Sequence, residues 1–221
     1  MTPAISRNLA LAACLAAILA TACRSGSQGD AMPNTPEVSA AQWQSVAARR
    51  VLLAHQSVGR NILDGLRALD AGSIVTVAES RSPAAGPGLT HFAVGRNGEP
   101  LEKVRDFAAA VDAADSLDVA MLKLCYIDFS YGADPAAVAR AYLDTLGALA
   151  SRHPSTAFVA VTVPLTTVQE GPKALVKKML GRAPAGLAEN AQRQVFNDAL
   201  RARSGPGRPA GRGYRSRRSS R

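Results

Sequence analysis

The chain has 221 residues, and 47% of them are hydrophobic, which is enough for one domain with a substantial core. Its formal net charge is +9, but residues 204–221 hold six arginines and no acidic residue, which leaves +3 (9 − 6) for all the others. The basic charge is therefore no reason to expect a folded domain that binds nucleic acid. The spacing of the cysteines, histidines and acidic residues predicts no metal site, and we expect no cofactor.

Residues 1–22 are typical of an export signal. Arg7 provides the positive charge, and residues 9–22 form an apolar segment that is too short to span a bilayer, which requires about 20 apolar residues. Small residues precede Cys23, so this segment resembles a bacterial lipoprotein signal, in which the cysteine carries the lipid. It predicts an exported lipoprotein, anchored to a membrane through Cys23 and facing the periplasm or the cell surface. Cleavage after Ala22 without lipidation is the alternative.

The following segments divide the chain into a tether, a domain and a tail. Residues 23–42 are polar and rich in small residues, as flexible linkers are. Residues 43–203 contain the periodic apolar patterns of a folded domain. Residues 204–221 consist mainly of arginine, glycine, serine and proline, a composition that cannot bury enough apolar surface to fold. We therefore predict a disordered basic tail after the domain.

Strands and helices alternate four times within the domain. Apolar strands are predicted for RVLLAH, SIVTVAE, LDVAMLKLCYIDF and TAFVAVTVPLTT, in that order. Helices are predicted at 57–69, 101–114, 134–153 and 187–203, and a Gly/Pro-rich loop at 80–100. This alternation predicts an α/β fold, with a parallel sheet in three α/β/α layers and functional residues at the carboxyl ends of the strands.

The third strand contains two residues of uncertain role. Cys125 lies in an apolar run and is predicted to be a small core residue, since it is the one cysteine left after the signal and Cys23. Lys123 is unusual in so apolar a strand. It pairs with a neighbouring acidic residue, or it lies at an edge with only its stem buried.

Ser57 stands in HQSVG, at the junction between the first strand and the helix that follows it. Serine is common at the first position of a helix, where its hydroxyl caps a backbone N–H, so an ordinary cap is one interpretation. A nucleophile is the other, because a backbone N–H at a helix start and the positive helix end stabilise a developing oxyanion. Gly59 would let a substrate approach the backbone closely.

Three segments resemble the SGNH (GDSL-like) hydrolase superfamily, in a divergent branch whose first block reads His-x-Ser-x-Gly. HQSVG matches that block and implies Ser57 as the nucleophile. FAVGRNGEPLEKVRDF resembles the second block and implies an oxyanion hole that contains the N–H groups of Ser57 and Gly95, with Asn97 beside them. LKLCYIDF stands where the family has Gly-x-Asn-Asp; Asp128 is retained and the asparagine is not, so Asn97 or the Tyr126 hydroxyl would replace it.

Two of these segments have simpler alternatives. GRNG, with Gly95 and Asn97, is also a common turn sequence. Asp128 is also suited to capping a turn after the strand. The resemblance implies a flavodoxin-like topology and the hydrolysis of an ester, either a carbohydrate O-acetyl group or a lipid ester.

The catalytic base of the family is missing from the pattern. The resemblance implies a histidine three residues after an aspartate, ahead of the last helix, and none of the three histidines fits. His153 is predicted at the opposite edge of the sheet, and His55 is too near Ser57 along the strand to reach its hydroxyl. His91, which we place in the second-block loop, is the one substitute. We therefore expect an incomplete domain that lacks its last strand and helix, a tail produced by a shifted reading frame, and little or no hydrolysis.

Two other functions remain open at this point. One is a non-catalytic lipoprotein that binds carbohydrate of the cell envelope in the same cleft. The other is an adaptor whose basic tail binds an anionic surface. We predict a monomer in every case, with a small-molecule or carbohydrate ester as its partner, contact with a membrane through Cys23, and no nucleic acid.

Overall fold

The computed structural model describes residues 38–69, 74–83, 85–130 and 132–204. The predicted export signal, the lipidation of Cys23, most of the tether and nearly all of the basic tail lie outside the described residues. Among the described helices, none combines the length and the apolar character that crossing a bilayer requires.

The described chain alternates strands and helices as the sequence predicts, with one additional strand. The strands are β1 Arg50–His55, β2 Val77–Glu79, β3 Gly88–Ala93, β4 Val119–Lys123 and β5 Ala157–Ala160. The α-helices are α1 Ala40–Ala47, α2 Val58–Ala68, α3 Pro100–Asp112, α4 Pro135–Arg152, α5 Pro172–Met179 and α6 Leu187–Ser204, and Tyr126–Phe129 form one 3₁₀ turn.

All five strands are parallel, and their order across the sheet is β2-β3-β1-β4-β5. If the short edge strand β2 is set aside, the order β3-β1-β4-β5 is that of the first four strands of a flavodoxin-like sheet. Strand β3 lies within the segment that we predicted to be a loop, so that part of the prediction is wrong. The Gly and Pro residues that precede β3 are typical of a loop, and they led us to predict one. The residues of β3 nevertheless alternate between the two faces of the sheet, as in any strand.

Side chains that alternate along the strands build two apolar cores, one on each face of the sheet. The larger core contains Leu52, Phe92 and Leu122, packed against residues of α3, α4 and α6 such as Phe107 and Tyr142. The smaller core, on the other face, contains Val51, Leu53, Leu63, Val75 and Leu89, with Trp43 and Leu66 packed against it from α1 and α2. The sheet is thus covered on both faces, and the predicted three-layer α/β/α fold is confirmed.

Two predicted strands are shorter than expected. Strand β4 ends at Lys123, because the Asp128 carboxylate accepts the Cys125 N–H and turns the chain into the 3₁₀ turn. After β5, the backbone of Val163 and Thr166 binds to side chains of α6, and the Val161 N–H donates to the Tyr142 hydroxyl of α4. Asn197 bonds both the N–H and the C=O of Val163, and Asn190 does the same for Thr166.

Candidate active site

Ser57 lies at the carboxyl end of β1, immediately before α2, with its side chain exposed to solvent. Ser57 stands at the N-cap position of α2, as the cap interpretation predicts, but its side chain makes no capping hydrogen bond with any described residue. Its Oγ lies instead 3.5 Å from Cys125 Sγ, at the end of the neighbouring strand β4. The Ser57 N–H also has no acceptor among the described residues. The N–H is therefore open to a ligand, and the contact with Cys125 is the one hydrogen bond of the hydroxyl within the described residues.

Gln56 holds the Ser57 turn against the loop that follows β3. Its side-chain amide donates to the carbonyl oxygens of Val94 (3.0 Å) and Gly95 (2.8 Å). Sequence reasoning missed this residue, because a glutamine inside HQSVG carries no signal of its own. The contact brings the first and second predicted blocks together at one edge of the sheet.

The two predicted oxyanion-hole residues of the second block are engaged elsewhere. The Gly95 N–H donates to Asp106 Oδ2 at 2.9 Å, and Asn97 Oδ1 accepts from Lys103 Nζ at 3.0 Å. Gly95 also has a φ of +47°, as the turn interpretation of GRNG implies. Its role in an oxyanion hole stays a prediction, and that role requires its N–H to leave Asp106.

Asp128 is fully buried and accepts four hydrogen bonds from three donor groups of the protein. Lys103 Nζ lies 2.7 and 2.9 Å from its two oxygens, and the N–H groups of Gly98 and Cys125 donate to it at 3.0 and 2.7 Å. Lys103 is also fully buried. The alternative that Asp128 caps the turn after β4 is therefore confirmed, and the buried ion pair with Lys103 is a contact that the sequence did not predict.

Tyr126, the other predicted substitute in the third block, has an exposed side chain. Its carbonyl oxygen accepts from Arg193 Nε at 3.0 Å, and the guanidinium of Arg193 lies 5.4 Å from the centre of its ring. Arg193 thereby connects α6 to the third block. A role of the Tyr126 hydroxyl in an oxyanion hole stays a prediction.

The two histidines near the site contact each other and not Ser57. His55 Nε2 lies 3.2 Å from His91 Nδ1, and both rings are buried. Burial lowers the pKa of both imidazoles, so the pair is uncharged at neutral pH. His91 belongs to β3, opposite Leu53 and Glu79, and not to the loop where we placed it. It therefore lies deeper in the sheet than a base for Ser57 requires.

His153 lies where the sequence predicts, at the end of α4 ahead of β5. That is the amino edge of the sheet, opposite Ser57. Its Nε2 contacts Asp112 Oδ1 at 2.7 Å. This contact ties α4 to the end of α3 and leaves His153 outside the site.

Lys123 is the last residue of β4 and lies beside His55 across the sheet. Its side chain is buried, its Nζ donates to the Leu124 carbonyl oxygen at 3.2 Å, and it forms no ion pair with any acidic residue of the described ranges. Burial lowers the pKa of Lys123 to about 8, although the charges of Cys125 and Asp128 act in the opposite direction. Sequence reasoning noticed this lysine but expected an acidic partner or an exposed ammonium group, and neither is observed.

A cavity of about 540 Å³ opens beside Gly95, between the end of β3 and α3. Its polar lining consists of Arg81, Arg96, Glu102, Arg105 and Asp106. Arg81 pairs with Asp106 and Arg96 with Glu102, which leaves the Arg105 guanidinium without an ion-pair partner in the described part of the chain. The cavity thus combines hydrogen-bonding groups of both signs with an excess of positive charge.

The described residues contain no group of histidine, cysteine and acidic side chains that could hold a metal ion. A scan against protein-family models finds no match to this sequence, and a search of curated proteins finds none either. The resemblance to SGNH hydrolases therefore stays a prediction. The three-layer α/β/α fold itself is observed.

Proposed function

We propose that the protein is a serine ester hydrolase of the SGNH type, with Ser57 as its nucleophile. The proposal is carried by the state of Ser57: its hydroxyl is exposed at the carboxyl edge of a parallel sheet and caps no helix. Such a hydroxyl is available to attack a carbonyl carbon, and the adjacent N–H at the helix start can stabilise the oxyanion that forms. The substrate class implied by the resemblance is a carbohydrate O-acetyl group or a lipid ester.

Lys123 is our proposal for the base. Lys123 precedes Cys125 by two residues at the end of β4, and Cys125 Sγ lies 3.5 Å from Ser57 Oγ. With a pKa of about 8, the amine is partly neutral in mildly alkaline solution, and a neutral amine accepts a proton. Serine–lysine pairs perform acyl transfer without histidine on other folds. His55 and His91 do not act as the base in this proposal, because their rings are hydrogen-bonded to each other.

The proposed reaction has two halves. Ser57 Oγ bonds to the carbonyl carbon while Lys123 takes the hydroxyl proton, and the oxyanion is held by the Ser57 N–H together with the Asn97 amide. The tetrahedral species expels the alcohol, which takes the proton from Lys123, and an acyl-serine remains. Water, deprotonated by Lys123, then attacks the acyl carbon; the C–Oγ bond breaks, Lys123 returns the proton to Ser57 Oγ, and the carboxylic acid leaves. Gly95 can join the oxyanion hole only when its N–H leaves Asp106.

Ser57→Ala tests the nucleophile. We expect it to lower kcat/KM for p-nitrophenyl acetate and for an O-acetylated polysaccharide by at least about 100-fold, since no other hydroxyl replaces Oγ. Ser151→Ala, on the exposed surface of α4, is the matched control and should leave kcat/KM unchanged. Hydrolysis by Ser57→Ala at the rate of the parent protein would remove Ser57 from the mechanism.

The pH dependence tests Lys123. Hydrolysis should rise as the pH passes through about 8, and Lys123→Met should remove this rise.

The stability of the protein gives a second test of Lys123. Its pKa in the folded protein, about 8, lies below the ordinary value of 10.5, so between these two pH values the unfolded chain binds more protons than the folded one. The protein should therefore gain about 3 kcal/mol of unfolding free energy from pH 8 to 10.5, relative to Lys123→Met. If the unfolding free energies of the two proteins change in parallel with pH, the pKa of Lys123 is not lowered and the lysine is not the proposed base.

The cavity beside Gly95 favours a second candidate, a module that binds cell-envelope carbohydrate without hydrolysing it. Guanidinium and carboxylate groups suit sugar hydroxyls, and the unpaired Arg105 suits an acidic sugar. This candidate gains if Ser57→Ala retains glycan binding in calorimetry and Arg105→Ala loses it. It falls if the parent protein hydrolyses the glycan ester and Ser57→Ala does not.

A further inference from the structure

Helix α5 presents an apolar face to solvent. Leu175, Val176, Met179 and Leu180 are exposed over 54% to 80% of their surface. Isolated exposed apolar residues are ordinary, but four of them within six positions of one short helix form a continuous patch.

The helix turns this patch away from the protein body. Ala174 is the buried residue of α5, and it marks the side that packs on the domain. At 100° per residue, Val176 and Met179 lie about 160° and 140° around the helix from Ala174, and Leu175 lies about 100° from it. The small residue faces inward and the large apolar residues face outward, which reverses the pattern of an ordinary surface helix.

Positive charges flank the apolar face. Lys173, Lys177, Lys178 and Arg182 lie in or just after α5, and residues 171–182 contain no acidic residue. None of these four side chains forms an ion pair with a described residue, so all four charges are available to a partner. Gly171 and Gly181, with φ of +78° and +68°, bracket the helix and set it off from the chain on either side.

We propose that α5 inserts this apolar face into the surface of an anionic lipid bilayer. An outward apolar face with cations on its flanks is the arrangement by which amphipathic helices lie in the headgroup region, with the cations at the lipid phosphates. A second copy of the chain fits less well, because it would bring four further cations against these four. The proposal does not depend on ester hydrolysis or on lipidation of Cys23.

A tryptophan at position 179 reports on insertion directly. The test uses the full chain with Cys23→Ser, which excludes an acyl anchor, and with Trp43→Phe, which removes the one natural tryptophan. Met179→Trp in this background is mixed with phosphatidylcholine vesicles that contain phosphatidylglycerol, or with vesicles that lack it. Val195→Trp, at an exposed apolar position on α6, is the control.

We expect the emission of the Met179→Trp variant to shift to the blue with anionic vesicles and to be quenched by brominated lipid, and that of Val195→Trp to stay unchanged. Adding Lys177→Gln and Lys178→Gln should weaken the apparent vesicle affinity by about tenfold, since each lysine contributes to the attraction. Equal shifts at the two positions would mean adsorption through another part of the chain. That result overturns the proposal, as does an emission that vesicles leave unchanged. An emission already blue-shifted without vesicles also overturns it, in favour of a protein occupant of the face.

Discussion

Lys103→Met is expected to destabilise the folded protein by about 3 to 5 kcal/mol, because it leaves the buried Asp128 carboxylate without its counter-charge. Both side chains of this pair are fully buried, and Nζ lies 2.7 Å from the nearer carboxylate oxygen. The two N–H groups that also bind Asp128 compensate only part of a buried negative charge. The same lysine binds Asn97, so its loss should also loosen the loop beside Ser57.

Urea unfolding followed by circular dichroism measures this effect. Lys173→Met is the matched control, since Lys173 is exposed and forms no ion pair with a described residue, and its effect should stay within about 0.5 kcal/mol. In the double variant, Asp128→Asn removes the unpaired charge and keeps an acceptor oxygen. The cycle of Lys103→Met and Asp128→Asn should therefore yield a coupling energy of at least about 2 kcal/mol. Additive effects of the two substitutions would show that the ion pair does not stabilise the fold.

Gly59→Ala should lower the free energy of unfolding by about 2 to 3 kcal/mol, because there is no space for the new methyl group. A Cβ at position 59 would lie 2.2 Å from both Cβ and Cγ of His55. His55 is held on its other side by His91, and a Cβ moves only with its backbone, so helix α2 must shift away from the sheet. Since α2 begins directly after Ser57, the same shift should displace the nucleophile and lower any ester hydrolysis.

Gly65→Ala provides the control within the same helix. A Cβ at position 65 meets nothing within 4 Å, so the substitution should stabilise the protein by up to about 1 kcal/mol, through the better helix propensity of alanine. Thermal unfolding of both variants compares the two sites. If Gly59→Ala also raises the midpoint temperature, α2 does not approach the sheet as closely as the distances to His55 imply.

The sequence was sufficient to predict the layers of the fold but not every strand. The three-layer prediction rests on apolar strands that alternate with helices. The apolar residues of each helix recur with the helical period, which indicates that one face of the helix is buried against the sheet. Strand β3 was missed because its neighbours are glycines and prolines, which usually mark loops. The ends of β4 and β5 were misplaced. Strand β4 ends at a local contact, between Asp128 and the Cys125 N–H, that the continuous apolar run does not reveal. The end of β5 depends on Asn197 and Asn190, whose partners lie 34 and 24 residues away in the sequence.

The candidate site was predicted in its position and not in its contacts. HQSVG places Ser57 at a strand end, and the parallel sheet then brings the ends of β3 and β4 to the same edge. Which side chains contact each other there depends on distances between different strands and loops, and these cannot be read from the spacing of residues along the sequence. The Gln56 amide, the 3.5 Å approach of Cys125 to Ser57 and the burial of Lys123 are of this kind.

The binding of residues 163 and 166 by α6 has a consequence for solubility. A strand at the edge of a sheet exposes unpaired amide groups that can recruit another chain and begin aggregation. Beyond the four residues of β5, Asn197 and Asn190 already satisfy both backbone groups of Val163 and of Thr166. An incoming strand therefore finds the backbone groups of Val163 and Thr166 already occupied, and Ala157–Ala160 is the regular strand at this edge of the described sheet. Asparagine side chains thus limit the growth of the sheet by imitating the backbone of a neighbour.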